Sequence, residues 1–267
     1  MRTVPPWSES RHSMDAVIKL GRYVYAATIA GFGVQHVIGA TTIGRDLGPG
    51  PIWIAGSAPS ATIFGGILIV IGLGIAAGRR PFFPAAALGA MLLVYDAVFY
   101  LPGVVAHVRE PSNWTRGSEL LAMCGMAFVI AGGASETERF RWPLWKARLI
   151  DFGLVLCGAG VFVWAAQHFI YAQFTATLIP TWAPWRLAGA IAVGLAFLTV
   201  SLAFVFRLQP RVAATVLAAV FLAIVLVVHV QRVTSNPSSG REWTSAFIAL
   251  SMLGGSLAIA DACRTNP

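Results

Sequence analysis

Long apolar runs alternate with short polar joints along almost the whole chain. A helix needs roughly 20 residues to cross a bilayer, and the runs approach or reach this length. Gly, Pro and charged residues separate them, and most joints are short, which favours helices packed as antiparallel neighbours. The pattern predicts an all-α transmembrane fold of eight helices. The predicted segments are 17–40, 60–78, 83–107, 117–134, 149–172, 186–206, 211–231 and 243–260.

The composition excludes a soluble domain. Hydrophobic residues make up 57% of the 267 residues and charged residues only 11%, whereas soluble domains carry about 25% charged residues. The net charge of +8 does not indicate nucleic acid, because the basic residues stand at the ends of apolar runs instead of forming one basic arm or helix face. The expected partner is therefore the lipid bilayer and not nucleic acid.

The distribution of Lys and Arg predicts the orientation of the chain. Of the 19 basic residues, 13 fall on the side that holds both termini and 6 on the opposite side. Because cytoplasmic loops are enriched in Lys and Arg, both termini are predicted to be cytoplasmic. The expected location is the bacterial cytoplasmic (inner) membrane, crossed several times. The three cysteines form no CxxC motif and no disulfide framework.

Two halves of the chain share motifs in the same order. Gln35-His36 recurs as Gln167-His168 at an offset of 132 residues, and Trp114-Thr115 recurs as Trp243-Thr244 at 129. Because the matched motifs keep their order and their offsets differ by only a few residues, they indicate a duplication. Each half has an even number of segments, so both halves should have the same orientation. The predicted divisions are a cytoplasmic tail 1–15, a first four-helix repeat 16–134, a basic cytoplasmic linker 135–148 and a second four-helix repeat 149–267.

One series of motifs in the second half resembles a known family. Gln167-His168 is followed by Pro-x-Trp-x-Pro-Trp-Arg at 180–186, an apolar helix ending in His229, and Trp243-Thr244. This order resembles the DoxX-like membrane proteins over nearly all of residues 149–260, and the first half matches less fully. The resemblance implies four-helix units and an association with membrane oxidoreductases, because some members are subunits of such enzymes, including a thiosulfate:quinone oxidoreductase. The chain departs from the family by fusing two units in tandem.

Polar residues inside the apolar runs are the candidates for function. Burying an ionisable group in a membrane costs about 2.5–3.5 kcal/mol even on lenient scales, so such residues are functional candidates by default. With cytoplasmic termini, most of them lie near the outer ends of their helices. The alternative is that each one only makes a hydrogen bond between helices. The candidate ligand-binding residues are Gln35, His36, Asp96, Tyr100, His107, Gln167, His168, Arg186, His229, Glu242 and Trp243.

The third predicted helix carries the most polar face. Asp96, Tyr100, Gly103 and His107 are spaced to line one side of it. In the second half Val225 replaces the aspartate and His229 replaces the tyrosine, so the halves are chemically unequal. Pro102-Gly103 is the one candidate for a helix break, and the seventh helix has no counterpart. Two Trp- and Pro-rich outer loops, 48–59 and 178–185, form either an interfacial belt or a lid with Arg186 turned inward.

Two functions are consistent with these residues. The first is a redox-associated membrane subunit that binds a quinone-like lipophilic molecule near the extracytoplasmic face, together with a soluble or membrane redox partner. A neutral His and a Gln amide would donate hydrogen bonds to the carbonyl oxygens of the head group, and apolar helices would surround the tail. The second is a non-enzymatic small-molecule or lipid transporter, or an assembly factor. No catalytic residue is identified, and whether the protein is an enzyme stays open. The cofactor is unknown; the lack of HxxxH, HxxEH or Cys-His clusters argues against haem or metal.

Overall fold

The computed structural model describes residues 6–38, 58–78, 81–133 and 144–265. The first Trp-rich loop up to residue 57 and the linker up to residue 143 lie outside the described residues. Within those ranges the regular structure is helical, with no strand. The long helices are α1 (Pro6–Ile38), α2 (Ala58–Ala77), α3 (Phe82–Ala106), α4 (Pro111–Gly133), α5 (Leu144–Ile170), α6 (Arg186–Val205), α7 (Pro210–Ser235) and α8 (Gly240–Ala262). A short helix, Ala172–Leu178, follows α5, and a 3-10 turn, Cys263–Thr265, follows α8.

Three helices begin earlier than their apolar runs predict. α1 begins at Pro6 instead of 17, so the predicted tail 1–15 is helical from that residue onward. α4 begins at Pro111 instead of 117, and α5 at Leu144 instead of 149, inside the predicted linker. Proline is well suited to a helix start because its missing N–H would have no intrahelical partner there. Polar helical turns carry no hydrophobic signal, which is why periodicity placed these starts too late.

Six of the described helices, α2, α3, α5, α6, α7 and α8, are long and apolar enough to cross a membrane. The protein is therefore embedded in a membrane. The eight-span count and the cytoplasmic termini stay predictions. α4 is less apolar because Arg116 and Glu119 stand in its first half.

The helices α4 and α8 form the centre of the bundle. Every residue of α4 from Ala122 to Gly132 is buried, and α8 buries most of 251–260. The two helices touch directly, with Gly255 against Met126 and Gly133 against Ala262. Surrounding helices shield this pair from lipid, so its sequence can be less apolar than that of the outer helices.

The two halves interlock by exchanging contacts between their first and last helices. α1 packs against α2 and also against α8, whereas α5 packs against α6 and also against α4. Glycines allow both crossings: a Cβ built on Gly21 would lie 2.7 Å from the carbonyl oxygen of Gly254, and Gly125 and Gly153 approach each other even more closely. Small residues at crossing points let the backbones meet and pack in lipid.

Both α3 and α7 contain a π turn at matching positions. Asp96–Tyr100 in α3 and Val225–His229 in α7 are π-helical. Pro102 follows the first π turn, and a proline ring is known to disfavour the regular α-helical bond to the carbonyl group four residues earlier. α7 has Gln231 in place of that proline and still forms the π turn. The seventh helix therefore has an irregular turn that its sequence did not predict.

Candidate ligand-binding site

Each glutamine of the two Gln-His pairs binds the last helix of the other half. Gln35 Nε2 donates to the carbonyl oxygen of Gly240 at 2.8 Å and to Thr244 Oγ1 at 2.6 Å. Gln167 Nε2 donates to the carbonyl oxygen of Pro111 at 3.0 Å, and Thr115 Oγ1 donates to Gln167 Oε1 at 3.1 Å. We call the end of the bundle that holds Gln35, Thr244, Gln167 and Thr115 the Gln–Thr end. The amides thus hold the halves together.

The two histidines adopt the same arrangement in both halves. His36 Nδ1 lies 2.7 Å from the carbonyl oxygen of Phe32, and His168 Nδ1 lies 2.8 Å from that of Trp164. A carbonyl oxygen can only accept, so Nδ1 carries the hydrogen in each ring. In a neutral imidazole the other nitrogen, Nε2, is then an acceptor.

Each ring also packs edge-to-face on a phenylalanine of the next helix. The centroids of His36 and Phe64 are 5.4 Å apart, and those of His168 and Phe197 are 5.2 Å apart. His36 lies between α1 and α2, whereas His168 lies between α5 and α6. His36 is 9% exposed and His168 is half-buried. The structure therefore separates the two histidines into different helix pairs, and His168 is the more accessible.

The π turn of α3 presents Asp96 and Tyr100 to α4. A Cβ built on Gly117 would lie 3.3 Å from Asp96 Oδ1 and 3.7 Å from the Cβ of Tyr100, so the glycine leaves room for both side chains. Asp96 Oδ1 is buried without a hydrogen-bond partner among the described residues. Arg116 and Glu119 of α4 interact electrostatically with Tyr100. Sequence reasoning did not select Arg116, because only the packing of α3 on α4 brings it to this cluster.

A row of aromatic rings connects this cluster with His36. The ring of Phe64 packs on His36. The ring centroids of Phe64 and Tyr95 are 5.9 Å apart, and those of Tyr95 and Tyr100 are also 5.9 Å apart. The second half has a related row, in which Phe197 contacts His168 and Phe221 lies 5.7 Å from Phe197. Each half thus has a histidine at one end of an aromatic row that leads towards its π turn.

The π turn of α7 carries imidazole where α3 carries phenol. His229 interacts electrostatically with Arg232 and Glu242, and its Nδ1 is buried without a hydrogen-bond partner in the described part of the chain. Glu242 lies in the first turn of α8, where Ser239 Oγ accepts a hydrogen bond from its backbone N–H. The π turn of the first half thus holds a carboxyl and a phenol group, whereas the π turn of the second half holds an imidazole.

The other predicted residues have different surroundings. The indole of Trp243 donates to the carbonyl oxygen of Pro237 at 2.9 Å, and Trp114 donates in the same way to Val108. His107 is exposed where α3 ends. Arg186 begins α6 directly after Trp185, which is 84% exposed and has a left-handed φ of 52°. The choice between an interfacial belt and a lid stays a prediction.

An apolar groove lies beside Gln167 at the Gln–Thr end. It has a volume of about 370 Å³ and runs between the start of α4 and the end of α5. It lies on the α4 side of α5, whereas His168 faces α6. Its lining residues are Val108, Pro111, Trp114, Phe162, Val163, Ala166, Gln167, Ile170 and Tyr171.

No protein family, curated protein or solved structure matches the chain. The DoxX-like resemblance stays a prediction from short motifs. Among the described residues, no group of three or more His, Cys, Asp or Glu side chains is arranged to hold a metal ion. The functional interpretation therefore rests on the polar residues described above.

Proposed function

We propose that the protein is a DoxX-like, redox-associated subunit of the bacterial inner membrane that binds a quinone-like lipophilic molecule. In this proposal it spans the membrane eight times with both termini in the cytoplasm, and the Gln–Thr end faces the extracytoplasmic side. The observation that supports it best is the matched pair of histidines. Each is packed on an aromatic ring inside an apolar helix pair, with Nε2 not used by its own helix.

The chemistry of such a ligand suits this setting. A quinone-like head group needs one or two hydrogen-bonding partners near the membrane surface, and its tail needs apolar surroundings. His168 supplies a polar atom beside Phe197, and the exposed apolar side chains of α5 and α6 supply the surroundings. Electrons would pass to or from a separate redox partner, soluble or membrane-bound.

The test is direct analysis of the bound lipid. The protein would be purified in native-lipid nanodiscs, and the extracted lipid would be examined by chromatography and absorption spectroscopy for quinone. We expect co-purified quinone or quinol in the unaltered protein and a several-fold loss of the two together in His168→Ala. Gln173→Ala is the matched control, because Gln173 is exposed on the short helix after α5. Absence of quinone from the unaltered protein, followed by failure to bind added quinone or quinol, would refute the proposal.

A second candidate function is a non-enzymatic transporter or an assembly factor. The matched π turns favour it, because irregular turns in corresponding helices of two repeats are a common feature of transporters. Uptake of lipophilic solutes by proteoliposomes, abolished by substitutions at Asp96 or His229, would favour transport. Copurification of a redox subunit would favour the first function.

A further inference from the structure

We infer that the ligand binds in its reduced form, as a quinol whose hydroxyl groups donate hydrogen bonds to acceptor atoms of the protein. This inference rests on the proposed function and adds which redox form the site prefers. It follows from which hydrogen-bond donors and acceptors of the candidate side chains are not already engaged within the protein.

The histidines have already used their donors. His36 and His168 each direct Nδ1–H to the carbonyl oxygen four residues earlier, at 2.7 and 2.8 Å. The remaining ring atom, Nε2, is an acceptor in the neutral imidazole. The same geometry occurs in both halves, so it does not depend on one local irregularity.

The glutamine and tryptophan donors are also engaged. Gln35 directs its amide hydrogens to Gly240 and Thr244, and its Oε1 is buried without a partner in the described part of the chain. Gln167 donates to Pro111. The indole N–H groups of Trp114 and Trp243 each donate to a carbonyl group of the preceding turn. These residues therefore have few or no donor hydrogens left for a ligand.

Asp96 is a polar side chain of the first half that no described residue contacts by a hydrogen bond through Oδ1. Its Oδ1 is buried beside Gly117 and has no hydrogen-bond partner among the described residues. Arg116 of the neighbouring helix α4 interacts electrostatically with Glu119. Of these side chains, His168 is the one that the apolar side chains of α5 and α6 surround, so its Nε2 is the acceptor on which the inference depends.

The oxidised and reduced forms of a quinone differ in whether their oxygens can donate a hydrogen bond. The carbonyl oxygens of a quinone can only accept, so they would meet His168 Nε2 as one acceptor facing another. The hydroxyl groups of a quinol donate, and one of them can form an O–H···N bond to His168 Nε2. His168 is the expected contact because it is half-buried, whereas His36 is 9% exposed.

The experiment compares three probes that differ in their donors. Decylubiquinol, decylubiquinone and the dimethyl ether of decylubiquinol would be equilibrated without oxygen with protein in nanodiscs and with empty nanodiscs. Bound probe would be quantified by chromatography. We expect decylubiquinol to bind about tenfold more tightly than decylubiquinone, since one hydrogen bond contributes roughly this factor. The ether, which has no donor, should bind like the quinone.

A substitution then assigns the preference to one atom. His168→Gln places an amide, which can donate as well as accept, near the position of Nε2. We expect the ratio of the quinol and quinone affinities to fall towards one, a change that simple loss of stability would not produce. Gln173→Ala should keep the ratio.

The remaining outcomes distinguish failure of this inference from failure of the proposed function. Equal or tighter binding of decylubiquinone, or binding of the ether as tight as that of the quinol, would overturn the preference for a donor and leave a quinone-binding protein. Retention of none of the three probes above the level of empty nanodiscs would overturn the proposed function together with the inference.

Discussion

Gln35 Nε2 lies 2.6 Å from Thr244 Oγ1, so a hydrogen bond joins the end of α1 to the beginning of α8. The equivalent bond in the other half joins Gln167 to Thr115. The two bonds connect the first helix of each half with the last helix of the other. Hydrogen bonds of this kind contribute about 0.6 kcal/mol on average and up to about 1.7 kcal/mol in membranes.

We expect Gln35→Leu and Thr244→Val each to lower the free energy of unfolding by about 0.5–1.5 kcal/mol, because each removes the same interhelical bond. The double variant should lose less than the sum of the two single losses, as measured by unfolding in mixed detergent micelles. Thr234→Val is the matched control, since the exposed Thr234 hydroxyl bonds only to its own helix. Strict additivity of the two losses would show that the side chains act independently.

The crossing of α4 and α5 provides a second prediction. A Cβ on Gly153 would lie 2.8 Å from a methyl group of Val129 and 3.0 Å from its backbone nitrogen. Gly153→Ala should therefore destabilise the protein by about 1–3 kcal/mol, as overpacking does in other cores. Gly66→Ala is the control, because nothing lies within 4 Å of its Cβ position. That change should stabilise α2 by about 0.5–1 kcal/mol. Equal effects in thermal unfolding would contradict the close crossing.

Asp96 should reduce the stability of the protein, because one of its carboxyl oxygens is buried without a hydrogen-bond partner among the described residues. A buried carboxylate without a hydrogen-bond partner costs more to desolvate than an amide of the same shape. Asp96→Asn is expected to stabilise the protein by about 1 kcal/mol and to leave the binding of decylubiquinol at His168 unchanged, because Asp96 faces α4 and His168 faces α6. Glu110→Gln, at an exposed carboxylate that accepts a bond from Ser112, should change neither property. A loss of stability in Asp96→Asn would instead indicate a structural role for the charge.

A fourth prediction concerns the end of the bundle opposite the Gln–Thr end. Arg207 Nη1 lies 3.0 Å from Asp151 Oδ2, with the two side chains 56% and 29% exposed. Partly exposed ion pairs contribute little, so Arg207→Ala should cost less than about 1 kcal/mol. Because salt screens exposed charges, the cost should shrink at high ionic strength. A loss of several kcal/mol that does not depend on salt would show that the pair is effectively buried.

The sequence predicted the helices well because apolar length is a strong signal. The segments around α2, α3, α6 and α7 agree with the structure to within a few residues. The starts of α1, α4 and α5 were placed too late, since their first turns are polar. The π turn of α7 could not be predicted, because no proline stands at the position that corresponds to Pro102.

The candidate site was predicted only in part, because its partners come from distant helices. The sequence singled out Gln35 and His168 as unusual residues in apolar runs. It did not show that the amide of Gln35 binds Gly240 and Thr244, or that Nδ1 of His168 binds its own helix. Those partners depend on which helices pack together, and motif spacing does not determine that packing.

The exchange of partners between the halves has a consequence for biosynthesis. α1 is made first and α8 last, and Gln35 finds its partner Gly240 only 205 residues later in the chain. During insertion the amide of Gln35 must therefore remain near lipid head groups or bind a temporary partner, because an unpaired polar group is costly in hydrocarbon. Ribosome release before α8 would leave α1 packed against α2 alone and the amide of Gln35 without its partners, so we expect membrane quality-control proteases to recognise such truncated chains.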